Sequence, residues 1–423
     1  MNPINEELLQ YIFELKLYSS LHLHTTAGEA LHILKTGFRN RNSGPDFLQA
    51  LIQIDEVQLA GNIELHLRSS DWNRHAHSAD RAYDNVILHV VFEHDEEIYL
   101  HGKALPTLEL KSIIFKNVFH NYQHLLTSKA DFACEKSITT VPDIIVKSAI
   151  DAALSQRFER KKEMVKQLTE SCRHDKEEAF YRLLASSFGF GVNKHSFVKL
   201  SELLPLQLLK KHAPSLLQLE ALLFGVAGFL VDAKDEYQKR LQQEFTFLSK
   251  KYELKQVMLL HEWHFSKMHP MNFPSVRIAQ FAALIHQHAH VYSSIKEYSS
   301  IEDLIHLFRV EPSEYWLTHY TFAQESSMKR KRVGESSAQI IIVNAVCVML
   351  YYLGEEVEEY KERAYEYLQK LKAESNHITK PFEKAGLQIK DIYTSQAILE
   401  QHESLCKNKL CMNCAIGSYL LKN

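Results

Sequence analysis

Residues 40–77 read NRNSGPDFLQALIQIDEVQLAGNIELHLRSSDWNRHAH, and the fold turns on how this stretch is parsed. FLQALIQI at 47–54 reads as a strand, and the Asp55-Glu56 pair turns it into a second strand, VQLAGNIELHLR at 57–68. In the second strand Ile63, Leu65 and Leu67 face one way, and Asn62, Glu64, His66 and Arg68 the other. Gly61 inside that strand signals a bulge or a close backbone approach. Upstream, Leu8, Leu9, Ile12, Phe13, Leu15 and Leu17 follow Pro3 at helical spacing and predict a helix of about four turns. Downstream, 69–85 reads as a polar loop with one helical turn. NVILHVVFEHD at 85–95 is a nearly continuous apolar run, the pattern of a central strand buried on both faces. EIYLHGKALPTLEL at 97–110 completes the sheet, and 111–126 returns to helical spacing.

The predicted class is α+β. A small mixed sheet with flanking helices occupies 1–127, a linker 128–142, and a larger all-helical domain 143–423 that carries a C-terminal cysteine cluster. Helices are expected at 143–170, 176–188, 196–210, 215–231, 234–262, 275–291, 301–309, 336–352, 355–373 and 391–405, with no fixed repeat period. The composition is globular: 45% hydrophobic and 24% charged over 423 residues, which excludes a disordered or collagen-like chain. With 49 Lys and Arg against 52 Asp and Glu, the net charge of −3 argues against a globally basic nucleic-acid coat. The apolar runs at 340–353 and 219–230 are shorter than the ~18 residues of a span, so no membrane is expected. The N-terminus lacks the basic start of a secretory signal, and six cysteines are too sparse for a disulfide scaffold. The expected location is cytoplasmic. Oligomeric state is not legible.

Histidine stands out, with 24 copies, many within 22–124. Asp46, after Gly44-Pro45 at the entrance of one strand, would meet Glu64 on the next across the hairpin. Two carboxylates and the carbonyl of Leu65 make an oxygen site suited to Mg²⁺ or Mn²⁺. The plain alternative is that Gly44-Pro45-Asp46 is only a turn and Glu64 a solvated strand residue. This spacing resembles the P-D…(D/E)-x-K nuclease superfamily, whose restriction-endonuclease-like fold uses divalent metals to cleave phosphodiesters. The resemblance implies metal binding by Asp46 and Glu64, nucleic acid as partner, and a supporting glutamate on the first helix, Glu14 or Glu7. His66 stands where the superfamily has Lys. It titrates near neutrality and is not a permanent cation, which puts catalytic competence in question. The 69–85 crossover is also shorter than the helix usual there.

The loop supplies a second candidate: His75, His77 and Asp80 are donors that suit Zn²⁺, against the plain reading of a solvated pair. His89 in mid-strand reads either as a satisfied core residue or as a neighbour of the metal site. A third candidate closes the sequence, where Cys406, Cys411 and Cys414 are spaced C-x4-C-x2-C. The x2 pair is a chelating knuckle. His402 one turn upstream would complete a structural zinc site, while Cys134 or Cys172 would give an all-thiolate site for zinc or an iron–sulfur cluster. The plain reading is three free thiols. In the helical part, Arg157, Arg160, Lys161 and Lys162, and the run Lys329 to Arg332, are either phosphate contacts or solvated faces, the latter favoured by the balanced charge. Arg277 falls early in a helix opened by Pro274.

Together GPDF, GNIELHLRSSDW, the H-x-H loop, YDNVILHVV, NFPSVRIAQFA and the closing cysteines resemble a bacterial family known only as a domain of unknown function. That resemblance implies a bacterial cytoplasmic protein and no particular activity. Three functions follow from the residues. The first is a metal-dependent phosphodiesterase using Asp46, Glu64 and His66. The second is a non-catalytic nucleic-acid or protein interaction module on a degenerate nuclease fold. The third is a zinc hydrolase on the H-x-H loop.

Overall fold

In the computed structural model, which describes residues 4–298 and 300–423, the hairpin forms as its alternation requires. Strand β3 (Phe47–Ile54) pairs antiparallel with β4 (Val57–Arg68), Ile54 opposite Val57 and Phe47 opposite Ile63. Asp55 takes a left-handed φ of 49° in the turn. A bulge at Leu48–Gln49 shifts the inward phase of β3, so Phe47 is followed on the buried side by Ala50, Ile52 and Ile54. Strands β1 (Leu31–Lys35) and β2 (Phe38–Arg39) both pair with β3 on its other edge. The sequence reading missed them because LHILK is short, half polar and lies at an edge.

Past the hairpin the direction changes. Strand β5 (Val86–Glu93) runs parallel to β4, with Glu64 opposite His89 and His66 opposite Val91. All of β5 but Ile87 and its terminal Glu93 is buried, the two-sided burial that its apolar run predicts. The stretch expected as one strand at 97–110 is broken. A small hairpin of β6 (Tyr99–Leu100) and β7 (Lys103–Ala104) precedes β8 (Thr107–Glu109), which pairs parallel to β5. The mixed sheet therefore runs β1-β3-β4-β5-β8. Gly61 marks a close approach: a Cβ there would stand 2.5 Å from the Asn85 carbonyl oxygen and from Ile87 Cγ2.

Helix α1 (Glu6–Glu14) is capped by Asn5, whose side chain accepts the Leu8 N–H at 2.8 Å; Pro3 lies outside the described residues. Its Leu8, Leu9, Ile12 and Phe13 bury against Phe47, Ile52, Ile63, Leu65, Leu88 and Val90 of the sheet. A second, smaller core of Trp72, Tyr83, Val86, Ile98, Leu100 and Leu105 forms over the crossover loop.

Contacts divide the chain differently from the expected boundary at 127–143. One unit comprises residues 1–151, 377–388 and 399–423; the other comprises 152–376 and 389–398. The cysteine-bearing segment thus belongs with the sheet, not with the helical domain. Inside the first unit Tyr11 donates to Ser418 Oγ at 2.7 Å, Asn121 to the Leu420 carbonyl at 3.0 Å, and Lys409 to the Ser128 carbonyl at 2.9 Å. Phe132 and Phe382 stack with centroids 3.9 Å apart.

Among the described residues, the regular structure of the second unit is helical apart from a small hairpin, His319–Thr321 with Gln324–Glu325, and an isolated Lys372–Asp391 bridge. Its aromatic core includes Phe188, Phe197, Phe224 and Phe281. Glu220 is fully buried in it and accepts hydrogen bonds from Tyr237 at 2.5 Å and Ser313 at 2.9 Å. The basic runs are partly committed internally. Lys162 pairs with Glu159 and Glu355, and Lys331 is buried with its ammonium on the Leu317 carbonyl at 2.9 Å. The apolar run at 340–353 belongs to a longer helical stretch than the sequence suggests. Glu335–Leu353, 19 residues of mean hydropathy 1.7, is long and apolar enough to cross a membrane, and 67% of its most apolar window is buried in the protein, as a core helix is.

Candidate metal centre

Glu64 and His66 are two apart on β4, so alternation sets them on the same side of the strand, opposite Ile63 and Leu65. The sequence suggests a solvated polar face there. The structure covers it with the crossover loop, leaving Glu64 5% and His66 1% exposed. Serines at the start of the loop fix its course: Ser69 Oγ and Ser70 N–H both bond to Asp95 Oδ1, at 3.0 and 2.9 Å. A single helical turn, α2 (Asp71–Arg74), then drops Trp72 into the small core, with its indole N–H on Ser78 Oγ at 2.9 Å. Ala76 has a left-handed φ of 56°, a costly conformation for alanine. That kink lets His75 and His77, on either side of it, turn toward the same point. The Tyr83 ring stacks on His77 at 3.8 Å and holds it there.

The donors converge. His66 Nε2 lies 3.2 Å from His75 Nδ1, 3.3 Å from His77 Nε2 and 3.6 Å from Glu64 Oε1, and Glu64 Oε1 lies 3.4 Å from His77 Nε2. A tetrahedral ion with ligands at ~2.0–2.1 Å has ligand–ligand edges of about 3.3–3.4 Å. The measured separations bracket that value. The three histidines form a group whose donor atoms all lie within 4.8 Å of one another. His75 is exposed and opens the site on one side.

The electrostatics favour a cation. Burial depresses the pKa of His66 strongly, and neighbouring His89, His77 and His75 depress it further. Burial and His75 lower that of His77. Neutral His66 and His77 therefore offer lone pairs. Burial, and next the charge of Asp46, raise Glu64 well above the usual carboxylate range. A carboxylate destabilised in this way gains most from a bound cation. The set is rich in nitrogen, so it suits zinc and its transition-series neighbours better than Mg²⁺.

Around the donors stands a supporting shell. His89, 0% exposed, brings Nε2 to 2.9 Å from His66 Nδ1. If Nε2 of His66 faces an ion, its Nδ1 carries the proton and donates it to His89, whose own Nδ1 is buried without a partner. Asp46 does meet Glu64, but through its backbone: Asp46 N–H donates to Glu64 Oε2 at 3.0 Å. Its carboxylate accepts from Gln10 Nε2 at 2.7 Å and from Leu65 N–H at 3.1 Å, so both oxygens are engaged. Asp46 is placed as a support of Glu64, not beside the imidazoles.

Other candidates lie elsewhere. Asp80 caps the next turn, accepting the Ala82 N–H at 2.9 Å. Glu14 pairs with Arg39 at 3.6 Å; on α1 it is Gln10, one turn earlier, that bonds Asp46, and Glu6 that is a charge neighbour of Asp46 and Glu64. Helical spacing alone puts Gln10 and Glu14 on one face, but nothing in the sequence says which turn meets the strand.

A mixed sheet with α1 on one side and a buried histidine cluster under its crossover loop defines an α+β protein with a candidate transition-metal centre. The chain belongs to the family described as a protein of unknown function, DUF2851, whose model matches residues 6–377. Comparison with curated proteins and with solved structures returns no match.

Proposed function

We propose that this protein is a metal-dependent hydrolase of phosphodiesters, with one divalent transition-metal ion held by His66, His75, His77 and Glu64. The observation that carries the reading is the convergence of the His66, His75 and His77 ring nitrogens within 4.8 Å of one another, with Glu64 Oε1 3.6 Å from His66 Nε2 and 3.4 Å from His77 Nε2. An ion there supplies a water nucleophile at neutral pH and polarises the bond under attack. The protein orients the donors: His89 fixes the His66 ring, Tyr83 fixes His77, and Asp46 N–H fixes Glu64. The choice of phosphodiester, and of nucleic acid as its source, rests on the resemblance to the P-D…(D/E)-x-K superfamily. The order helix, antiparallel hairpin, parallel strand supports that resemblance, with Asp46 immediately before β3 and Glu64 on β4. Arg74, largely exposed and a charge neighbour of His66, is suited to contact a phosphate beside the open edge.

A specific observation favours a second reading. With Glu64 beside His66 and His77, a small inward shift would let four protein donors fill a tetrahedron, as in structural sites, whereas catalytic zinc keeps a position open. The centre would then stiffen an interaction module. Purified full chain loaded with zinc or manganese should hydrolyse bis(p-nitrophenyl) phosphate and single- or double-stranded DNA or RNA, and Glu64→Gln and His77→Ala should abolish this. Protein that holds one ion at His66 yet cleaves none of these refutes the hydrolase and leaves the structural reading.

A further inference from the structure

Four of the six cysteines gather in the first unit, far from the histidine cluster in sequence. Cys406, Cys411 and Cys414 lie on two consecutive 3-10 turns, Cys406–Asn408 and Cys411–Asn413, and Cys414 caps the helix Ala415–Lys422. Lys409, left-handed at φ 54°, reverses the chain between the two turns and ties it to the Ser128 carbonyl. That tie brings the segment against residues 128–137, where Cys134 sits. Cys134 and Cys411 pack on the same apolar core. Gly417 allows the helix to close on the knuckle, since a Cβ there would stand 2.1 Å from the Cys411 carbonyl oxygen.

We propose that Cys134, Cys406, Cys411 and Cys414 form a four-thiolate site for a thiophilic metal centre, which pins the segment 399–423 to the sheet unit. Two further observations support this. The Cys406 thiol has Cys414, Cys134 and Cys411 as its neighbours, and Cys134 has Cys414 and Cys411. Cys414 sits among hydrogen-bond donors. Gln401 Nε2 donates to its sulfur at 2.8 Å, and the N–H groups of Ile416 and Gly417 point at it. Binding releases the four thiol protons to solvent as the thiolates take the metal.

His402 is not a member of the set. Among the described residues it forms no group of donors within 4.8 Å with these cysteines, and its Nδ1 is buried without a partner. Cys172 belongs to the other unit, with Ser171 and Arg182 beside it. One zinc at 2.3 Å sets sulfur–sulfur edges of about 3.8 Å. Among the described residues the four sulfurs form no trio within 4.8 Å. A single zinc would draw them inward; an iron–sulfur cluster, in which the thiolates need not share one ion, takes them wider.

The test uses the full chain carrying His75→Ala and His77→Ala, which silences the other centre. One arm adds Co²⁺ as the spectroscopic stand-in for zinc and reads the thiolate-to-cobalt charge-transfer band. The other reconstitutes anaerobically with ferrous iron and sulfide and reads cluster absorption. The proposal expects one stoichiometric centre in one arm. It expects Cys134→Ser to lose that centre as completely as Cys414→Ser does, with His402→Ala and Cys172→Ser retaining it. Circular dichroism of the metal-free variants separates loss of a ligand from loss of fold. No thiolate-bound metal in either arm, or full retention in a folded Cys134→Ser, overturns it.

Discussion

Replacing His66 by alanine tests the histidine centre most directly, because His66 Nε2 shares an edge with each of the other three donors, at 3.2, 3.3 and 3.6 Å. The substitution has two separable effects. Without metal it removes the 2.9 Å bond to His89 and leaves a buried nitrogen without a partner, a loss of about 1–3 kcal/mol. With metal it also removes the ligation. A ligand that binds only the folded chain stabilises it by about 4 kcal/mol at a thousandfold excess over its Kd. For a unit of about this size that is a rise of roughly 8–16 °C in Tm. Calorimetry in chelator and in buffered zinc, on the parent and on His66→Ala, gives four values. Zinc held by the cysteines raises parent and variant alike and cancels in the difference. The expected result is a zinc-dependent increment several kcal/mol larger in the parent. Equal increments in the two proteins would refute the assignment, however much His66→Ala lowers the metal-free stability.

Other outcomes follow from single contacts. His89→Ala should weaken metal affinity by about 10–100-fold without removing a ligand, measured by competition with a chelator; unchanged affinity would show that His66 is oriented by something else. Gly61→Ala places a methyl 2.5 Å from the Asn85 carbonyl and should destabilise by about 1–3 kcal/mol in urea unfolding, where a neutral result would mean that β4 and β5 can part locally. Glu220 sits in the helical unit at about 7 against an ordinary 4.5, because burial outweighs the hydrogen bonds from Tyr237 and Ser313. The folded chain therefore binds this proton more tightly than the unfolded chain. Its contribution is full below about pH 4.5 and falls by about 3 kcal/mol as pH rises through 7. Glu220→Gln should flatten that part of the stability profile, and an identical slope in the variant would contradict the assignment.

The hairpin was legible because Phe47–Ile54 and Val57–Arg68 alternate cleanly around Asp55-Glu56, and β5 because its apolar run admits few other readings. The same alternation correctly paired Glu64 with His66, and the H-x-H spacing singled out His75 and His77. Their union was not legible. It depends on a crossover that folds back over the strand and on one left-handed residue, Ala76, which no propensity marks. For the same reason the sequence leaves Asp46 and Asp80 as candidate donors, each beside its plain reading. Sequence spacing placed them near the site, but whether a carboxylate faces an ion, a backbone N–H or a turn is decided by tertiary packing. Cys134 was one of two candidates for a distant fourth ligand, and only the return of the tail to the sheet unit sets it, rather than Cys172, in the same unit as the three tail cysteines.

That return has a consequence for biosynthesis. The strands of the sheet end at Glu109, yet residues 399–423 that complete their unit are made only after the 289 residues 110–398. At ~5–20 residues per second the delay is roughly 15–60 seconds. During it the flank of α1 that Ser418 and Leu421 later cover stays open to solvent and to chaperones. Nascent chains stalled before residue 399 should thus be conspicuously protease-sensitive around Glu6–Glu14, and chains stalled beyond 423 should not.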